Sequence, residues 1–213
     1  MNCKLLLGAL AFCATTTMAW AGTSTWTVDD DAPADFSTIQ AAVDAASNGD
    51  TINVMPGVYV ENVVSTKSLT LNGPFAGTPG YDVSRGTGEA IIYPPSNDPD
   101  SIGVVSLLAG NTTFDGFTVD GDNPGIIGGF EINGADVNAN AGISNGYTGL
   151  PGDWQPLDNQ TIANNIVRNF KVYGIVAWES YSGTAANGHA WRYNWIDNVA
   201  AGRPVKVMRV PNW

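Results

Sequence analysis

Four short segments of this 213-residue chain share one grammar, and that grammar restricts the fold more than anything else in the sequence. Leu69-Thr70-Leu71-Asn72-Gly73 aligns with Phe117-Thr118-Val119-Asp120-Gly121, Asn165-Ile166-Val167-Arg168-Asn169 and Asn194-Trp195-Ile196-Asp197-Asn198, at spacings of 48, 48 and 29 residues. Each is an alternating run with an aliphatic third residue, which is strand patterning. Each then closes on Gly or Asn, the residues that tolerate a positive φ. Because 48 is twice 24, a further copy is expected midway, and Ala141-Gly142-Ile143-Ser144-Asn145 sits there. Near residue 93, Ile91-Ile92-Tyr93 fits after a shift of two or three positions. A repeat of strands and tight turns without crossover helices reads as a solenoid. The expected fold class is all-β: a right-handed parallel β-helix with coils stacked about 4.8 Å apart.

One amphipathic helix precedes these repeats. Ile39, Ala42, Val43 and Ala46 make a narrow apolar stripe, Ser37 and Gln40 have capping-box spacing, and Asn48-Gly49 supplies a stop. A helix this short does not stand alone in water. The open mouth of a first coil exposes unpaired backbone and apolar interior, so the segment 36–48 is expected to lie across it as a lid. The organisation expected is a lead-in at 22–35, a β-helix domain at 36–199 and an atypical tail at 200–213. The tail shows no Gly or Asn turn closing a further coil, as expected of a chain truncated relative to a longer parent.

The stretches F-x-T-I-Q-x-A-V-D-A-A, G-D-T-I-N-V-x-P-G-V-Y-x-E-N-V and L-T-L-N-G, between Phe36 and Gly73, resemble the N-terminal cap and first coils of right-handed β-helix proteins of the pectin-lyase-like superfamily. T-F-D-G-F-T-V-D-G and T-I-A-N-N-I-V-R-N-F resemble later coils of the same group. The resemblance implies that architecture, and either cleavage or de-esterification of acidic polysaccharides or surface binding without catalysis.

Compartment follows from the first residues. Lys4, an apolar run from Leu5 to about Ala14 and the small-x-small site Ala19-Trp20-Ala21 read as a signal peptide over 1–21. The expected location is secreted or cell envelope, extracellular or periplasmic. Both cysteines, Cys3 and Cys13, fall in that leader, so the mature chain would use neither a disulfide nor Cys-ligated zinc. Formal net charge is −11, with 18 acidic and two basic residues between Gly22 and Gln160. Such a surface repels phosphate, so nucleic acid is not an expected partner.

Each chemistry of the resembled group leaves its own residues. Calcium-assisted lyase chemistry wants carboxylates on one face, and Asp115, Asp120 and Asp122 are the candidates, though Asp120-Gly121-Asp122 also reads as a solvated turn. A hydrolase needs two carboxylates across the sugar. Asp120 and Asp197 share a repeat position, but Arg168 and Ser144 are expected between them. Gly202-Arg203-Pro204 resembles a pectin methylesterase segment, but Val205 stands where that segment has Trp, and its catalytic strand has no counterpart here. Gly142-Ile143-Ser144-Asn145-Gly146 with His189 matches a nucleophile-elbow pattern, yet no helix can follow at Thr148-Gly149-Leu150-Pro151-Gly152. The candidate substrate-binding set is Tyr173, Trp178, Glu179, Tyr181, Trp191 and Arg192, aromatic faces beside charges of the kind sugar rings stack on. Alternation would put Trp191, Tyr193 and Trp195 on one face. The function expected is a module contacting polysaccharide or a cell-surface glycan, with no catalytic set, no obligatory cofactor and no transmembrane segment. A truncated lyase or esterase and an adhesive solenoid are the alternatives.

Overall fold

A computed structural model describes residues 23–98, 103–146, 157–181 and 188–211, with side chains undescribed at 178–181 and 206–211. The proposed leader at 1–21 lies outside the described residues.

Strand β1 (Thr25–Val28) and helix α1 (Ile39–Ala45) precede five coils of three strands each. The first coil is β2 (Thr51–Val54), β3 (Gly57–Val60) and β4 (Val63–Ser65), and the second is β5 (Thr70–Asn72), β6 (Ala90–Tyr93) and β7 (Val105–Leu107). The third holds β8 (Thr113–Asp115) and β9 (Thr118–Asp120), a hairpin of β10 (Phe130–Ile132) and β11 (Ala135–Val137), and β12 (Ala141–Asn145). Next come β13 (Thr161–Ala163), β14 (Ile166–Phe170) and β15 (Tyr173–Tyr181), then β16 (Ala190–Arg192), β17 (Trp195–Val199) and β18 (Arg203–Pro211). Equivalent strands stack into three parallel sheets: A (β1-β2-β5-β8-β13-β16), B (β3-β6-β9-β14-β17) and C (β4-β7-β12-β15-β18). The chain is a parallel β-helix solenoid.

Register corrects the expected repeat. Segments 117–121, 165–169 and 194–198 are true equivalents in sheet B, with Val119 opposite Val167 and Val167 opposite Ile196. Leu71, however, pairs with Ile52 and Phe114 in sheet A, and Ile143 pairs with Val105 and Ile175 in sheet C. There is no 24-residue coil. The interior column Ile52, Leu71, Phe114, Ile162, Trp191 advances by 19, 43, 48 and 29 residues, the excess being inserted between strands. The core is these stacked columns, with Phe114 and Phe117 face to face at 4.3 Å between centroids. The outer limits also move. Thr25–Val28, expected as lead-in, is a strand of sheet A, and Arg203–Pro211, expected as an atypical tail, pairs with β15.

Sheets A and B meet at a two-residue corner repeated as Gly116-Phe117, Asn164-Asn165 and Tyr193-Asn194. The first residue is left-handed each time, φ being 81°, 57° and 59°. The second carries a side-chain ladder. Asn165, fully buried, accepts from the Phe117 amide (2.9 Å) and donates to the Phe114 carbonyl (3.1 Å). Asn194 repeats the pattern one coil on, accepting from the Asn165 amide (3.0 Å) and donating to the Ile162 carbonyl (2.8 Å).

The lid is where expected, but its caps come from elsewhere. Thr38, not Ser37, is the N-cap, and the Glu61 carboxylate accepts from the Ile39 and Gln40 amides at 2.8 Å each. Lys67 donates to the Val43, Asp44 and Ala46 carbonyls at the other end, where the orphan acceptors of a helix lie. Ile39, Ala42 and Val43 are buried against the core. Gln40 accepts from the Val64 amide and donates to its carbonyl, so one side-chain amide pairs the open edge of β4 as a neighbouring strand would. Asp30 does the same for β3, accepting from Val58 at 2.9 Å.

Between β5 and β6, residues 73–89 form a strap along the A–B corner. Gly77 donates to Asp115, and Gly80 donates to the Tyr193 carbonyl at 2.8 Å, three coils away. A Cβ on Gly80 would lie 2.3 Å from the Asn165 carbonyl oxygen, so only glycine passes there. Arg85, its side chain 2% exposed, forms an ion pair with Glu89, sits over Phe75 and bonds the Asn164 carbonyl.

Candidate functional site

Sheet B alternates like any half-buried strand set. Tyr59, Ile92, Val119, Val167 and Ile196 point inward, so their neighbours point out. One outward column is Asp120, Arg168 and Asp197 on successive coils, and Tyr93, one residue beyond the Ile92–Val119 pair, continues it. The β10–β11 hairpin, inserted between β9 and β12, stands beside that column. Between them lies an open cleft of about 620 Å³, lined by the column together with Asp122, Pro124, Asn133, Asn169 and Asn198.

The hairpin wall is held by a directed chain of amides. Asn133, at the hairpin tip, donates to Asn198 (2.9 Å); Asn198 donates to Asn169 (2.7 Å); Asn169 donates to Asp120 (2.7 Å). Asn133, Asn169 and Asn198 all have positive φ, a backbone state Asn accepts more readily than other side chains. Asp120, 3% exposed, also accepts from Arg168 Nε (2.7 Å) and the Asp122 amide (3.1 Å). Its oxygens are committed to the wall.

Electrostatics follow from this arrangement. Burial works against the Arg168 charge, but the Asp120 carboxylate and its hydrogen bond outweigh it and hold the guanidinium pKa above its ordinary value. Burial, then Asp120, push the Asp122 carboxyl upward, and the Tyr93 phenol rises for the same two reasons. Arg168 and Asp120 offset each other, which leaves Asp122 and Asp197 as uncompensated negative charge in the cleft.

The expected calcium set is divided. Asp115 ends β8 in sheet A and accepts from Asn164 (2.7 Å) and the Gly77 amide, whereas Asp120 and Asp122 border the sheet B cleft. Among the described residues, the carboxylates that converge within 4.8 Å are Asp29, Asp30 and Asp31, and Asp30 is occupied with the β3 edge. Ser144, expected between Asp120 and Asp197, is in sheet C and shares a hydrogen bond with Ser106 at 3.1 Å.

The expected aromatic set is likewise dispersed. Trp191 extends the interior column of sheet A and packs on the core. Arg192 is exposed on the same strand, in register with Ala163. Tyr193 turns the corner, which breaks the alternation and leaves it and Trp195 exposed, 54% and 49%, apart from Trp191. Tyr173 is 9% exposed in sheet C, with the Arg203 guanidinium 5.8 Å from its ring centre. The backbones of Trp178, Glu179 and Tyr181 pair with Met208, Arg209 and Pro211, and their side chains lie outside the description.

Over 150 residues, 70% of its length, the chain is 32% identical to a cell surface glycoprotein of Methanothermus fervidus. That stretch is 18% of the relative, so the chain spans less than a fifth of it. No family model and no solved structure matches the chain.

Proposed function

We propose that this chain is a β-solenoid module of the cell surface that contacts a glycan. The observation carrying this reading is the sheet B cleft: an open trough of carboxylates, amides, a guanidinium and a phenol, held by a hydrogen-bonded wall. Polyhydroxylated ligands are bound in part by planar side chains that donate and accept in fixed directions. The similarity to a cell surface glycoprotein supports the location.

Within this reading the solenoid is the scaffold and its stacked coils set the spacing of contacts along a polymer. The test is a glycan array probed with the whole chain, followed by calorimetry on any hit. Saturable binding to a structurally related group of glycans is the expected result; an array without signal above a matched acidic control protein would refute it. Depolymerisation or methanol release from pectins, with and without calcium, would instead favour the lyase or esterase alternative.

A further inference from the structure

The cleft has a charge and hydrogen-bond inventory specific enough to choose among glycans. Asp120 is 3% exposed and three of its roughly four acceptor positions are filled, since Arg168, Asn169 and the Asp122 amide donate to it. The amide chain is directed, and its middle members are engaged in the wall: Asn198 receives from Asn133 and gives to Asn169. What faces a ligand is therefore a short set. Arg168 uses Nε for Asp120, and its side chain is 43% exposed, so its two Nη groups are the donors. Asp197 is exposed and accepts one bond through Oδ1, from the Asn198 amide, leaving Oδ2 as an acceptor. Asp122 supplies a second carboxylate under repulsion from Asp120.

We infer that this cleft binds an uncharged saccharide unit and rejects uronate polymers. The inference rests on the glycan reading above. A guanidinium beside a carboxylate one coil away suits vicinal hydroxyls, one oxygen accepting from Arg168 Nη and its neighbour donating to Asp197 Oδ2. An acidic sugar meets a different situation. Its carboxylate can bond the Arg168 Nη groups, but the charge of that guanidinium is already offset by Asp120, and it must approach Asp122 and Asp197 as a like charge. The acidic polysaccharides implied by the family resemblance are thus the wrong ligands for this cleft.

The experiment measures binding of the whole chain to three probes of matched length: a neutral oligosaccharide panel, oligogalacturonate and a deacetylated chitin oligomer, at low and at physiological ionic strength. The neutral panel should contain the tightest ligand, with oligogalacturonate weaker by about tenfold or more, the discrimination expected of like-charge approach to Asp122 and Asp197. Asp197→Ala, at an exposed position, should weaken the neutral ligand by about tenfold with the melting temperature of the chain preserved, and Arg168→Lys, which keeps the charge but loses the fork and the Nε bond to Asp120, should weaken it as much while lowering the melting temperature. Tightest binding to oligogalacturonate overturns the inference, as does tightest binding to the cationic oligomer, which would indicate ion pairing with Asp122 and Asp197. Neutral binding that survives both substitutions in folded protein overturns the placement while leaving the glycan reading intact. Absence of binding to any glycan class overturns both.

Discussion

Replacing Asn165 by Leu tests whether the corner ladder holds the coils together. The side chain is fully buried and nearly isosteric with Leu, so the substitution removes polarity with little change in volume. The Phe117 amide then has no acceptor, because Asn165 Oδ1 is the partner it uses. A buried donor left unsatisfied costs about 1–3 kcal/mol, and the lost bonds to the Phe114 carbonyl and to Asn194 (3.1 Å) add about 0.5–1.5 kcal/mol each. The expected destabilisation is about 3 kcal/mol. Asn194→Leu, one coil on at a position that is only partly buried and so nearer to water, removes the equivalent bonds and should cost less, about 1–2 kcal/mol. Urea unfolding followed by tryptophan fluorescence gives both values, read as midpoint shifts at constant slope. An Asn165→Leu protein within about 0.5 kcal/mol of the parent, or a larger loss for Asn194→Leu, would refute the reasoning.

Gln40→Ala removes the amide that pairs Val64 and should cost about 1 kcal/mol while exposing the β4 edge, seen as concentration-dependent association in light scattering. The Asp50 carboxyl is held below its ordinary 3.8 by the Ser47 and Ser24 amides, so its stabilisation is complete above about pH 3.8 and is lost as pH falls through the lowered folded value. Asp50→Asn should flatten the acid limb of the stability profile below that pH. Asp122 runs the other way: its carboxyl is raised by burial and then by Asp120, so ionising it opposes folding as pH rises above 3.8. Asp122→Asn should therefore raise the melting temperature at pH 7, with the gain shrinking towards pH 3.

The solenoid and its lid were legible because both rest on local pattern. Alternation marks strands wherever they pair, and the stripe Ile39, Ala42, Val43 marks a helix that must cover something. The coil length was not legible. All three sheets bury alternate residues, so Leu71 of sheet A and Val119 of sheet B read alike, and insertions between strands carry no fixed length. The helix caps were missed because Glu61 and Lys67 arrive from more than twenty residues away. Trp191, Tyr193 and Trp195 were assigned one face because Tyr193 is a bulky residue in a left-handed corner; the matching Gly116 and Asn164 were the available signal. Half of the cleft was visible, since Asp120, Arg168 and Asp197 occupy one repeat position. Its other wall, the β10–β11 hairpin latched through Asn133, is a tertiary contact across 65 residues that no local pattern announces.

The strap at 73–89 changes how such a stack would respond to pulling. A plain coil stack transmits load only from each turn to the next and can peel open one turn at a time. Here the segment that leaves the second coil grips the fourth at Asn164, through Arg85 and its partly buried partner Glu89, and the fifth at Tyr193, through the Gly80 amide, so traction on the last turn is delivered straight back to the second. Sequential peeling would give way to a single rupture event that involves four turns at once, a mechanical fuse set by the Gly80 amide and the Arg85 guanidinium together.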